Sequence, residues 1–264
     1  MSTLHWSVDY SHQTSERDFC AELLRSLSPA LASPALNRDA KRKVHRYSLL
    51  PNFWTGFKGY PADDPDLAIG AASIERFLDD NGAWQYHVRH ANATSGEELE
   101  LAFVCDDLPA RPLSSPWLVR ARNSADGTYD AITLIGEVLT GESGAAIALT
   151  TQRGLSFSAG AIQPSTTLTC NWALFDILAA PGATDLGGLA ILEDLEMLKP
   201  NCCIRPLETW PFEVDGETHT LSGYCVFGEG FPPSYWWLTE TGDIAVMSTM
   251  LLTYVLRERE GEAK

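Results

Sequence analysis

Arg120 and Arg122 alternate with Val119 and Ala121 in Trp117–Asn123 (WLVRARN). Successive side chains of a strand point to opposite faces, so both guanidinium groups belong to one side of a sheet. On a concave side they would bind the anionic head group of a ligand through paired N–H donors. On an outer side they are solvated strand charges. Tyr86, Tyr224, Tyr235 and Glu229 add polar groups among aromatic residues. Trp236 and Trp237 are adjacent, so a strand sends one to the core and the other toward a cavity.

Other reactive side chains lack a supporting pattern. His87 and His90 in WQYHVRHAN are three apart, which on a strand places them on opposite faces and gives no metal site. Cys170, with Asp176 six residues on, pairs a nucleophile with a carboxylate or is simply a thiol buried at a helix start capped by Asn171. Cys202 and Cys203 are adjacent and read as two reduced thiols; the six cysteines contain no CxxC pair. The sequence holds no HExxH, GxSxG, GxxxxGK[ST] or GxGxxG, and no cofactor is implied.

The formal net charge is -16, which argues against a nucleic-acid partner, because phosphate binding needs clustered Lys and Arg. Arg38–Arg46 is the one basic stretch and reads as a solvated helix or loop face. The start MSTLHWSVDYSHQ lacks the charged and apolar regions of a secretory signal, and the uncharged Ile244–Leu256 is too short for a membrane-spanning helix. The expectation is a cytoplasmic protein whose partner is a small hydrophobic molecule; the oligomeric state is open.

The elements that must position these residues are mostly strands. Trp84, Tyr86 and Val88 alternate with Gln85, His87 and Arg89, giving one dry and one polar face after an Asp80-Asn81-Gly82 turn. Ala68–Leu78, Glu98–Cys105, Trp117–Asn123, Thr128–Leu139, Ala145–Thr151 and Leu155–Ser158 continue a meander. Cys203–Leu207, Trp210–Val214, Thr218–Phe227, Tyr235–Thr239 and Ile244–Leu256 close it. Between the two sets, Trp172, Phe175, Asp176 and Leu178 fall at helical offsets over Asn171–Ala179, and Ala190–Leu198 (AILEDLEML) repeats that spacing before Lys199-Pro200. Asp18–Leu27 predicts an amphipathic helix packed outside the sheet.

The expected fold class is α+β, mainly β: a curved antiparallel sheet, or half-barrel, wrapped around the inserted helix. One domain covers 1–264, with an N-terminal helical and irregular segment over 1–66, the half-barrel over 67–256 and a frayed charged tail over 257–264. The predicted core is Trp84, Leu101, Phe103, Ile132, Leu134, Trp172, Phe175, Leu195, Val226 and Trp237.

A late helix followed by strands ending in YWWLTETGDIAVM resembles the half-barrel group of the LolA and LolB lipoprotein carriers, to which the violacein-pathway enzyme VioE is similar in fold. The resemblance spans Leu67 to Leu256 and centres on Trp237-Leu238-Thr239 with Thr241-Gly242. It implies a hollow apolar half-barrel holding a hydrophobic or amphipathic ligand. The apolar stripe of the inserted helix and the aromatics of Tyr224–Trp237 place that ligand between the concave sheet face and the helix, near Trp172, Phe175, Tyr224 and Tyr235. An enzyme of the cyclase or isomerase kind stays open beside the binder, as does a partner-binding scaffold that uses the acidic surface.

Overall fold

The computed structural model describes residues 16–37, 40–52, 68–93, 95–107, 109–123, 131–141, 144–214, 216–228 and 230–261. Part of the expected N-terminal segment 1–66 lies outside them, as do Glu229 and the start of Thr128–Leu139. Sixteen strands form the described sheet: β1 (Arg42–Pro51), β2 (Gly70–Leu78), β3 (Trp84–Asn92), β4 (Glu97–Cys105), β5 (Leu113–Asn123), β6 (Ile132–Gly141), β7 (Gly144–Thr151), β8 (Ser156–Ile162), β9 (Thr167–Cys170), β10 (Leu189–Glu193), β11 (Met197–Pro206), β12 (Trp210–Val214), β13 (Glu217–Gly228), β14 (Phe231–Leu238), β15 (Ile244–Ser248) and β16 (Leu252–Gly261). They follow the order β8-β7-β6-β5-β4-β3-β2-β1-β16-β15-β14-β13-β11-β10-β9, with β12 paired to β13 alone.

The alternation in the sequence explains most of these strands. Along β3, Tyr86, Val88 and His90 are buried while His87, Arg89 and Ala91 are exposed. Of the basic stretch expected as a helix or loop face, Arg42–Arg46 lie in β1, between β2 and β16. Ile244–Leu256 is two strands, because Ser248–Leu252 turns back on itself through Thr249, whose backbone N–H donates to the Leu252 carbonyl at 2.8 Å. The charged tail expected to fray instead continues β16 to Gly261 alongside Lys43.

The architecture is mainly β and barrel-like, which corrects the half-barrel wrapped around a helix. The ends of the strand path approach one another without a ladder between them. Trp117 on β5 donates its indole N–H to the Leu195 carbonyl at 3.1 Å, and the Thr169 hydroxyl donates to the Arg111 carbonyl at 2.8 Å. On β8, Gly160 has φ +142°, and a Cβ there would stand 2.7 Å from a Leu198 methyl on β11.

The inserted helix is short. A 3-10 turn over Asn171–Ala173 runs into one α turn, α2 (Leu174–Ile177), inside the crossover that joins β9 to the parallel strand β10. Asn171 does not cap it. Its side-chain N–H donates to the Asp194 carboxylate at 3.2 Å and its carbonyl oxygen accepts the Asp194 backbone N–H at 3.0 Å. The second helical pattern, Ala190–Leu198, is the β10–β11 hairpin: Asp194 and Leu195 take φ of +49° and +62°. Two consecutive left-handed residues match the twist of a tight hairpin and end any helix.

The N-terminal helix α1 (Glu16–Ala32) is longer than expected and rests mainly on β16, burying Leu23, Leu27 and Ala30. Nine of the ten predicted core residues are buried or half-buried in the expected sense, with Trp84 and Trp237 half-buried against the cluster. Ile132 is the exception at 59% exposure, because it opens β6, where the strand emerges from the barrel.

Candidate functional site

Among the described residues, the barrel interior holds packed rings and an ionic network. Trp172 stacks on Phe175 at 5.8 Å, Phe175 meets Trp236 edge-on at 5.1 Å and Tyr47 at 5.4 Å, and Tyr254 stands 5.9 Å from Trp172. Trp172 and Phe175 are therefore packed side chains, 1% and 3% exposed.

Below the rings, Asp176 of α2 accepts hydrogen bonds from Arg76 at 2.5 Å and from the Tyr86 hydroxyl at 2.5 Å. Arg76 also donates to His45 Nδ1 at 2.7 Å, and His45 Nε2 lies 2.8 Å from the Asp243 carboxylate. Because Nδ1 accepts from a guanidinium, the imidazole carries its proton on Nε2 and donates it to Asp243. Asp243 receives further bonds from Arg259 at 2.7 Å and from Thr241 at 2.9 Å.

Burial and the Arg76 charge lower the His45 pKa below its ordinary value. For Asp176, burial acts upward, but the Arg76 charge and the Tyr86 hydroxyl outweigh it and hold the carboxyl below the usual range. Asp243 shows the same balance, with burial outweighed by His45, Thr241 and Arg259. Each charge has an internal partner, so this chain of groups fastens α2 to β1, β2 and β3.

Cys170 is fully buried, and burial pushes its thiol up to about 12. Burial likewise pushes Cys105 far up. Among the described residues no group of His, Cys, Asp and Glu is arranged to hold a metal ion.

The outer face of β1–β5 is different. A groove of about 370 Å³ runs across it, and its lining includes Arg42, Arg46, Arg89 and Arg120 against only Glu75 and Glu100. Arg120 also lines a neighbouring groove of about 350 Å³ with Arg122, Glu98 and Thr133. Arg42 pairs with Glu75 at 2.7 Å, and Arg122 pairs with Glu98. Arg89 and Arg120 share one carboxylate, that of Glu100, at 3.7 and 3.6 Å, too far for a hydrogen bond.

Strand register explains the lining. Thr133, Arg120, Glu100, Arg89, Ser73, Arg46 and Glu258 form one row across the strands, each opposite the next. Two residues along, Val44, Glu75, His87, Ala102, Leu118 and Ile135 form the parallel row. Its apolar end is open to solvent, with Leu118 37% and Ile135 49% exposed.

The structure thus divides the six residues picked out in the sequence. Trp172 and Phe175 are interior; Tyr224, half-buried, packs against the same core opposite Trp236. Tyr235 is exposed on the barrel wall beside Trp237 at 6.3 Å. Arg120 and Arg122 lie together on the outer face, where Arg120 joins Arg42, Arg46 and Arg89, which sequence reasoning left out of the site.

Comparison with solved structures agrees with this architecture. The crystal structure of a β-barrel-like protein of domain of unknown function DUF1849 from Brucella abortus superposes with a TM-score of 0.53 over 87% of this chain and 99% of that one, at 8% identity. The shared feature is a β-barrel-like fold. The likeness extends to the fold alone and does not confirm the resemblance to the LolA and LolB carriers. No family model and no curated protein matches the chain. Among the described residues no helix is long and apolar enough to cross a membrane.

Proposed function

We propose that this chain binds a small amphipathic anion in the outer groove of β1–β5. The observation that carries the reading is that Arg89 and Arg120 have only the distant Glu100 carboxylate between them in a lining that also holds Arg42 and Arg46, on a chain with a formal net charge of -16. A carboxylate or phosphate is favoured there by charge-assisted hydrogen bonds from Arg89 and Arg120, which their shared Glu100 holds loosely. The exposed Leu118 and Ile135 next to the arginines supply a surface for an apolar tail, and the groove has the volume of a small-molecule site. The ring packing of Trp172 and Phe175, 1% and 3% exposed, supports the outer location over the inner one.

A dansyl-labelled undecanoate titrated into the intact protein tests this. Saturable uptake is expected, weakened at least about tenfold by Arg120→Glu and by Leu118→Glu, and reduced by added salt. Uptake that survives both substitutions and is lost in Trp172→Ala would move the ligand to the interior and overturn the reading.

A further inference from the structure

We propose that the groove's head-group subsite lies over Ser73 and is built for a phosphate monoester held between Arg46 and Arg89. This rests on the groove-binding reading above and names the chemistry that groove would select.

The argument comes from the order of charges along one row. Reading from β5 to β16, Arg120, Glu100, Arg89, Ser73, Arg46 and Glu258 stand opposite one another in register. Cross-strand neighbours alternate in sign from Arg120 to Arg89 and again from Arg46 to Glu258, as stable strand pairs do. Ser73 interrupts the alternation. At that position two arginines flank a small neutral residue where a carboxylate would complete the pattern.

Adjacent strands are about 4.8 Å apart, so the Arg46 and Arg89 backbones are separated by about 10 Å. Both side chains are long enough to reach an anion seated between them. Arg46 uses one terminal nitrogen, Nη1, for both of its acidic partners, Glu260 at 2.6 Å and Glu258 at 3.3 Å. Its Nη2 and Nε remain for a ligand. Arg89 is 80% exposed and stands 3.7 Å from Glu100, so it gives up little by turning toward Ser73.

The donor set separates a phosphate from a carboxylate. Two guanidinium groups and a hydroxyl offer donors from three directions, and a phosphate monoester presents three terminal oxygens with close to two negative charges. A carboxylate has two oxygens in one plane and would satisfy the arginines while leaving the serine hydroxyl over. With the head at Ser73, the ester substituent runs along the neighbouring row over Ala102 toward Leu118, the apolar end of the groove.

Titration calorimetry on the full chain decides the matter, using monododecyl phosphate, dodecanoate and inorganic phosphate below micelle-forming concentrations. Dodecyl phosphate is expected to bind at least about tenfold more tightly than dodecanoate, and inorganic phosphate to bind weakly at the same site and compete. Ser73→Asp places the missing carboxylate in the row. It should lower dodecyl phosphate affinity at least about thirtyfold while leaving the thermal midpoint unchanged or raised.

Arg89→Gln, at an exposed position, gives an independent loss of about tenfold should Ser73→Asp fail to fold. If both variants bind dodecyl phosphate like the parent, or if dodecanoate binds equally well, the phosphate subsite is refuted while the groove reading stands. Should neither amphiphile bind the parent protein, both readings fall.

Discussion

Replacing Asp176 by Asn exchanges one heavy atom and removes the only negative charge bonded to Arg76 among the described residues. The Arg76 side chain is 5% exposed; among the described residues its remaining hydrogen-bond partner is neutral His45, and its Nε has no partner. Removing one member of a buried ion pair leaves an uncompensated charge and costs about 3–5 kcal/mol. For a chain of this size, with a urea dependence of about 2–3 kcal/mol/M, the unfolding midpoint should fall by about 1–2 M. Tryptophan fluorescence reads it directly, since Trp172 and Trp236 are buried beside the network. Paired replacement, Arg76→Met with Asp176→Leu, removes both charges and should recover more than half of the loss. A midpoint shift below about 0.3 M for Asp176→Asn would refute the view that the network fastens α2 to the barrel wall.

Acid should destabilise the fold in two stages. The lowered pKa of His45 contributes stability that is fully present above its unfolded value of about 6.5 and is lost as pH falls below it, whereas the depressed carboxyls of Asp176 and Asp243 contribute stability that is lost below about 4. Thermal midpoints measured from pH 8 to pH 3 should hold to about 6.5, decline and then drop steeply; a maximum at pH 5 would contradict this. Gly136→Ala places a Cβ 2.0 Å from the Trp117 indole nitrogen, displacing the ring that bonds Leu195, and should cost about 2–3 kcal/mol by urea unfolding. Gly187→Ala, where a Cβ meets nothing within 4 Å, is the control and should stay within about 0.5 kcal/mol.

The legible part of the fold is the part written locally. Trp84–Arg89 declares its two faces by alternation, and Asp79 accepts the backbone N–H groups of Asn81 and Ala83 in the turn that the Asn-Gly pair marks. Ile191, Leu192, Leu195 and Leu198 have helical spacing, yet they form a hairpin. What decides it is Asp194, whose carboxylate is held by Asn171 and the Trp172 indole at 2.8 Å, more than twenty positions earlier. The groove was illegible for a related reason. Arg46, Ser73, Arg89 and Arg120 share a row only because four strand registers bring them into line, and nothing near any one of them in the chain announces the others. Arg120 and Arg122 were visible as a pair because one strand carries both.

Strands β8 and β9 each have a single ladder partner among the described residues. A fully closed barrel must keep strand number, tilt and stagger mutually consistent, so inserting a hairpin forces every strand to readjust. Here the circumference is joined at one place by side chains such as Trp117, Thr169 and Leu198. The ring is split, like a spring washer. During evolution it can gain or lose a terminal hairpin at the split while the rows on the far side, including the arginine row of β1–β5, keep their alignment.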